Sequence, residues 1–155
     1  MDTPAALQDR FAPATRCFGC GPANPQGLRI KSQVEHGAVI CRWSPAAHHE
    51  AFPGVVNGGI IGTLFDCHLN WTAAHHLMVL RGADSPPCTV TADFHVSLRR
   101  PTPSADILTV RANVVETDGR RAVVEGTLEA GGVVTATCRG TFVAVEEGHP
   151  AFHRW

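Results

Sequence analysis

Residues 51–80, AFPGVVNGGIIGTLFDCHLNWTAAHHLMVL, decide the fold of this chain. Asp66 is the only carboxylate among them, and no Lys or Arg interrupts the stretch. Gly54 breaks whatever precedes it. Asn57 is a suitable helix N-cap, because its side-chain oxygen can accept from the orphan backbone N–H groups of a first turn. After Gly58 and Gly59 the apolar residues recur at helical spacing. At about 100° per residue, Ile60, Ile61, Leu64, Phe65, His68, Leu69 and Trp71 share one arc. Gly59, Gly62, Thr63, Asp66, Asn70 and Ala73 share the other.

A solvated helix face is normally rich in Lys, Glu and Arg. This second face holds small residues around one acid, so it reads as contacted, with a sheet against one side of the helix and a second body against the other. Asp66 then lies in a partly dry site. A lone helical Asp can equally be a surface residue or a satisfied structural carboxylate. What favours a functional acid is the absence of neighbouring charge and the paired glycines, whose bare N–H groups at a helix start suit developing negative charge.

Outward from the helix, both flanks read as strands. On the N-terminal side, Leu28–Glu35 and Ala38–Trp43 alternate apolar and polar residues around a His36-Gly37 turn, the pattern of a hairpin. On the C-terminal side, Cys88–Leu98, Ile107–Glu116, Arg121–Glu129 and Val133–Val145 are four strands joined by tight turns. In the first of these, Val90, Ala92, Phe94, Val96 and Leu98 should share one side, opposite Thr89, Thr91, Asp93, His95 and Ser97. Two strands, one long helix and four strands make an α+β chain, an antiparallel sheet with one helix on a face. Residues 1–16 read as a loose arm, 17–145 as a single domain and 146–155 as a short tail.

The chain has 155 residues, 44% hydrophobic and 17% charged, with a net charge of −1, which fits one ordinary globular domain. Without a basic block, nucleic acid or an anionic membrane surface is not expected as the main partner. The N-terminal MDTPAALQDRFAPATR lacks a signal-peptide core, and no apolar run spans a bilayer, so a cytoplasmic protein is expected. Six scattered cysteines then read as free thiols. Cys17-x-x-Cys20 could form half of a zinc site or a redox pair. Zinc needs about two further ligands, no second C-x-x-C exists, and Gly21, Pro22 and Pro25 oppose a redox-type helix, so the loop is expected to be a packed structural one with no metal. His48, His49, His75 and His76 read as surface residues.

Three segments together, CFGCGPANPQGL (17–28), HHEAFPGVVNGGIIGTLFD (48–66) and LRRPTP (98–103), resemble the hotdog-fold acyl-CoA thioesterases, in particular the PaaI-like branch named for the phenylacetate-pathway enzyme. The resemblance runs from about Cys17 to Val145. It implies a curled antiparallel sheet wrapped around one long central helix. It also implies an acyl-CoA substrate, coenzyme A entering only as part of that substrate with no separate cofactor, and a homodimer or homotetramer with active sites at the interface. The family pattern is His-Gly-Gly at the helix start with an acid further along. Carried onto this sequence, it makes the Gly58 N–H the oxyanion donor, Gly59 its neighbour, and Asp66 the general base or nucleophile. Asn57 stands where the family has His, and Ala51 where some members carry Asn or Gln. Asn70, one turn after Asp66, could position water or be a plain polar helix residue. Arg99 and Arg100, at a strand end, could meet the phosphates of coenzyme A or be ordinary solvated arginines. A non-catalytic acyl-CoA or small-ligand binding protein on the same scaffold is the alternative function. A hydratase or dehydratase would need a His paired with the acid, and His68 lies on the opposite helix face.

Overall fold

The computed structural model describes residues 3–155. Its elements run α1 (Leu7–Phe11), β1 (Ser32–Glu35), β2 (Ala38–Trp43), β3 (Glu50–Phe52), β4 (Val55–Val56), α2 (Gly58–Arg81), β5 (Thr89–Leu98), β6 (Leu108–Asp118), β7 (Arg121–Ala130) and β8 (Val133–Ala144). Six strands form one antiparallel sheet in the order β1-β2-β6-β7-β8-β5. The short β3 and β4 pair with each other, and Val55 of β4 also bridges Pro103. This is the expected hotdog architecture, a curled sheet around one long helix.

Helix α2 begins where the sequence places it. The Asn57 side chain accepts from the N–H groups of Gly59 (2.8 Å) and Ile60 (3.3 Å). It ends where Gly82 takes the left-handed conformation, φ 59°, with the Gly82 and Ala83 amides closing back on the Val79 and Met78 carbonyls. From Cys67 to Ala74 every residue is buried, so the middle of the helix is enclosed all round rather than on one stripe. Leu64, Phe65, Leu69 and Trp71 pack with Leu108, Val110, Val124, Leu128 and Phe142 of the sheet in one core. Each such side chain contributes about 1.5–3 kcal/mol by leaving water. Gly126 in the middle of β7 lets the helix come close, since a Cβ there would stand 2.8 Å from Leu69 Cδ1.

Three sequence expectations need correction. The arm is not loose in its described part: Ala6, Leu7, Gln8 and Ala12 are buried, and Gln8 exchanges hydrogen bonds with Ser32. Apolar positions in a short segment of 16 residues can dock without a long helix to announce them. The first strand starts at Ser32, not Leu28, because Arg29 takes a positive φ of 54°, and the Leu28 and Ile30 amides bond instead to the carbonyls of Phe18 and Gly19. The alternation of β5 breaks at a bulge between Thr91 and Asp93. Such a bulge inserts one unpaired residue and re-aims the side chains beyond it. Thr89 and Thr91 therefore share the helix-facing side with Phe94 and Leu98. The tail also folds back, with Trp155 stacked on Trp71 at 4.3 Å between ring centroids.

Candidate active site

The residues singled out from the sequence lie in two places along α2. At the helix start, Gly58 borders an open, mainly apolar groove of about 350 Å³ with Phe52, Val55, Leu98, Arg99 and Arg100. Asn57 takes the next two amides, Gly59 and Ile60, and the Ile60 and Ile61 amides also reach the Asn57 carbonyl. The Gly58 N–H alone in this first turn has no hydrogen-bond partner among the described residues. It is a bare donor at the positive end of a long helix, the arrangement that favours an anion or a developing oxyanion. Gly59, by contrast, is occupied by the cap. Arg100 is exposed, while the Arg99 Nε donates to Thr137 Oγ1 at 3.1 Å. Ala51 lines the same groove and offers no polar group.

Two turns along, Asp66 is half-buried and faces a small cavity of about 60 Å³. Thr91 Oγ1 donates to its Oδ1 at 2.6 Å. Burial pushes the carboxyl above the ordinary range, the Thr91 hydroxyl pulls it back down, and Cys17 and Arg154 act weakly in opposite directions. Asn70 lines the same cavity, but its amide is engaged at both ends: Oδ1 accepts from Thr89 Oγ1 at 2.7 Å, and Nδ2 donates to the Thr89 carbonyl at 3.4 Å.

Sequence reasoning missed Thr91, because the bulge that turns it toward Asp66 leaves no mark in the alternation. It also missed what surrounds Asp66 on the other side. Cys17 and Cys20 of the N-terminal loop and Cys67 of the helix meet at this cavity, with Cys17 Sγ 3.8 Å from Cys67 Sγ. The Cys17 thiol is held far below its usual range by donors from Cys20 and Cys67, and Cys20 is pushed up to about 11 by sharing with Cys17. The adjacency of Cys67 to Asp66 in sequence was the available signal. His68 points away from all of this. Its Nδ1 meets Ser32 Oγ at 2.8 Å and its Nε2 the Val39 carbonyl at 3.1 Å, and burial lowers its pKa to about 4, so it is a neutral core residue. His48 is exposed, and His49, His75 and His76 are partly so.

Along α2, the eight residue steps from Gly58 to Asp66 span about 12 Å at 1.5 Å per residue. Reacting groups in a productive complex approach within about 3–3.5 Å. By that spacing the Gly58 N–H and the Asp66 backbone of one chain stand well over a contact distance apart. Between them, Gly62 lies 3.9 Å (as a built Cβ) from Phe94 on β5. That strand is a sheet edge, and Phe94 and Leu98 are exposed on it. Among the described residues no helix is long and apolar enough to cross a membrane.

Comparison with known proteins places the fold. A family model described as the thioesterase superfamily matches residues 53–137, more than half of the chain. Rat acyl-coenzyme A thioesterase THEM4 is 23% identical over 92 residues, 59% of this chain and 36% of that protein. The chain thus spans about a third of the length of the curated relative it matches. Among solved structures, a thioesterase superfamily protein from Shewanella loihica PV-4 superposes with a TM-score of 0.65 at 29% identity, over 76% of this chain and 91% of that one. The BH2602 protein from Bacillus halodurans, solved with CoA, gives 0.62 at 24% identity over 77% and 76%. The E. coli PaaI protein of the phenylacetic acid degradation operon gives 0.65 at 16% identity over 77% and 81%. The likeness to these last two is one of fold.

Proposed function

Because this chain belongs to the thioesterase superfamily, we propose that it hydrolyses an acyl-CoA thioester to a carboxylic acid and coenzyme A, as a homodimer or a pair of such dimers. The carrying observation is the unpaired Gly58 N–H in a groove with Arg99 and Arg100. The substrate class is supported by the distant likeness to a rat acyl-CoA thioesterase and by the CoA held by the Bacillus halodurans protein.

In this reading the thioester oxygen accepts from Gly58 N–H, a contact worth about 2.7–4 kcal/mol where it forms in the transition state. Asp66, held by the Thr91 hydroxyl, either takes a proton from the attacking water or attacks the carbonyl carbon itself. In the first route water displaces the CoA thiolate directly; in the second Asp66 displaces it to form a mixed anhydride that a water then cleaves, and both end in the same acid with Asp66 regenerated. The 12 Å spacing along one helix, an estimate from helical rise, argues that the Gly58 of one chain works with the Asp66 of its partner. The exposed edge of β5, carrying Phe94 and Leu98, is the natural seam between copies. Asn57 contributes by capping rather than by chemistry: it occupies Gly59 and Ile60 and leaves Gly58 free.

The experiment is hydrolysis of short, medium, long and aryl acyl-CoAs, with released acid read by mass, for wild type and Asp66→Asn. Turnover that collapses in the variant supports the assignment. Acyl-CoA bound without turnover by the wild type would instead favour a binding protein, the reading to which Asn57 and Ala51, in place of polar family residues, lend weight.

A further inference from the structure

The cluster formed by Cys17, Cys20 and Cys67 is not used by this chemistry. We propose that these three cysteines bind one thiophilic divalent cation of the zinc class, through three thiolates and a fourth position that opens on the cavity beside Asp66. The inference goes beyond the thioesterase reading and does not depend on it.

Geometry carries it. The three sulfurs all lie within 4.8 Å of one another. The Cys17–Cys67 separation of 3.8 Å is the edge of a tetrahedron with Zn–S bonds of about 2.3 Å, which works out at about 3.8 Å. Cys17-Phe18-Gly19-Cys20-Gly21 closes as a tight turn, with the Gly21 amide donating to the Cys17 carbonyl at 2.8 Å. The loop is also built against the third ligand. A Cβ on Gly19 would stand 2.3 Å from Cys67 Sγ, and one on Gly21 would stand 2.4 Å from the Cys17 nitrogen, so only glycine fits at either place. Trp71 Nε1 donates to Cys20 Sγ at 3.4 Å, the kind of outer N–H contact that steadies a ligating thiolate.

The fourth position has its own marker. The wall of the cavity includes Thr15, whose Oγ1 is the one buried side-chain oxygen or nitrogen without a partner among the described residues. A metal-bound water would satisfy it. Three thiolates on a divalent cation leave one net negative charge, and the thiol protons leave to solvent on binding. Soft sulfur ligands select this class of ion over magnesium or calcium. The missing ligand from sequence was Cys67, which no C-x-x-C spacing could reveal because the helix supplies it.

The test uses the full-length protein purified under reducing conditions without chelator. Metal content per chain is measured by elemental analysis, and the stripped protein is then titrated with Zn²⁺ and with Co²⁺. The expected result is one metal per chain and, with Co²⁺, the intense visible and near-ultraviolet absorption of tetrahedral thiolate coordination. Cys67→Ser and Cys17→Ser should lose both, while Cys88→Ser keeps them; circular dichroism checks that each variant is folded. Sub-stoichiometric metal in wild type with no saturable Co²⁺ spectrum would overturn the proposal. So would a Cys17–Cys67 disulfide, seen as loss of two hydrogens in the intact mass of protein isolated without reductant. Retention of full Co²⁺ absorption by Cys67→Ser would overturn it without any question of folding.

Discussion

The two ends of the first half of α2 differ in almost every physical respect. At Gly58 the helix presents a bare amide to an open groove of about 350 Å³ flanked by two arginines. At Asp66 it presents a carboxyl to a cavity of about 60 Å³, walled by sulfur, indole and hydroxyl groups. The first surroundings suit a long, anionic, partly solvated ligand. The second suit a reaction that must keep bulk water away from a base. In the proposed dimer, a second copy running against this helix would set the open end of one chain beside the dry acid of the other.

The largest expected effect breaks the comparison at its dry end. Asp66→Asn keeps the shape and removes the base, and kcat/KM should fall by about 10²–10⁴-fold, measured by acid release from the best acyl-CoA. At the open end, Gly58→Pro removes only the N–H. Proline is well tolerated at the first helical position, and its ring must share space with Leu98 Cδ1, 3.1 Å from a built Cβ. The expected loss is about 10²–10³-fold in kcat. The two variants together sharpen the argument. If the site is shared between chains, mixing Asp66→Asn with Gly58→Pro protomers restores one working site per mixed dimer. Mixed dimers that stay as inactive as their parents would place donor and acid in one chain, against the helical spacing.

A smaller effect is expected at Thr91. Among the described residues its hydroxyl is the one side-chain group that bonds Asp66, and hydrogen bonds to charged groups are worth about 1.5–3 kcal/mol. Thr91→Val should lower kcat about tenfold, from the low end of that range, with KM little changed; Thr91→Ser should recover most of it. An equal loss in both variants would make the residue a packing element rather than a positioning one.

Thr91 also marks where sequence reading stops. The helix, its Asn57 cap and the four long strands were legible because each rests on a local signal: periodicity, a capping side chain or a tight turn. The candidate acid was legible because Asp66 is a lone charge in an apolar stretch. What the sequence hid depends on non-local closure. The β5 bulge shifts the register by one residue without altering composition. Cys67 meets Cys17 across 50 residues, and Arg154 and Trp155 return from the tail to wall the same cavity. The docking of Gln8 on Ser32, itself bonded to His68, is of the same kind.

The smallest expected effect concerns recognition at the open end. Arg100 is exposed and has no ion-pair partner among the described residues, whereas Arg99 is partly committed to Thr137. If Arg100 meets a CoA phosphate, Arg100→Ala should raise KM by about fivefold, because an exposed ion pair contributes at most about 1 kcal/mol. The kcat should not move, since a contact to a phosphate is the same in the ground and transition states. Raising the salt concentration should shrink the difference between variant and wild type as the charges are screened. The decisive control is the matching acyl-pantetheine, which keeps the thioester and lacks the nucleotide phosphates. On that substrate, variant and wild type should have the same KM. A KM increase of the same size on the pantetheine thioester would mean that Arg100 shapes the groove instead of reading charge, and the phosphates would have to lie elsewhere.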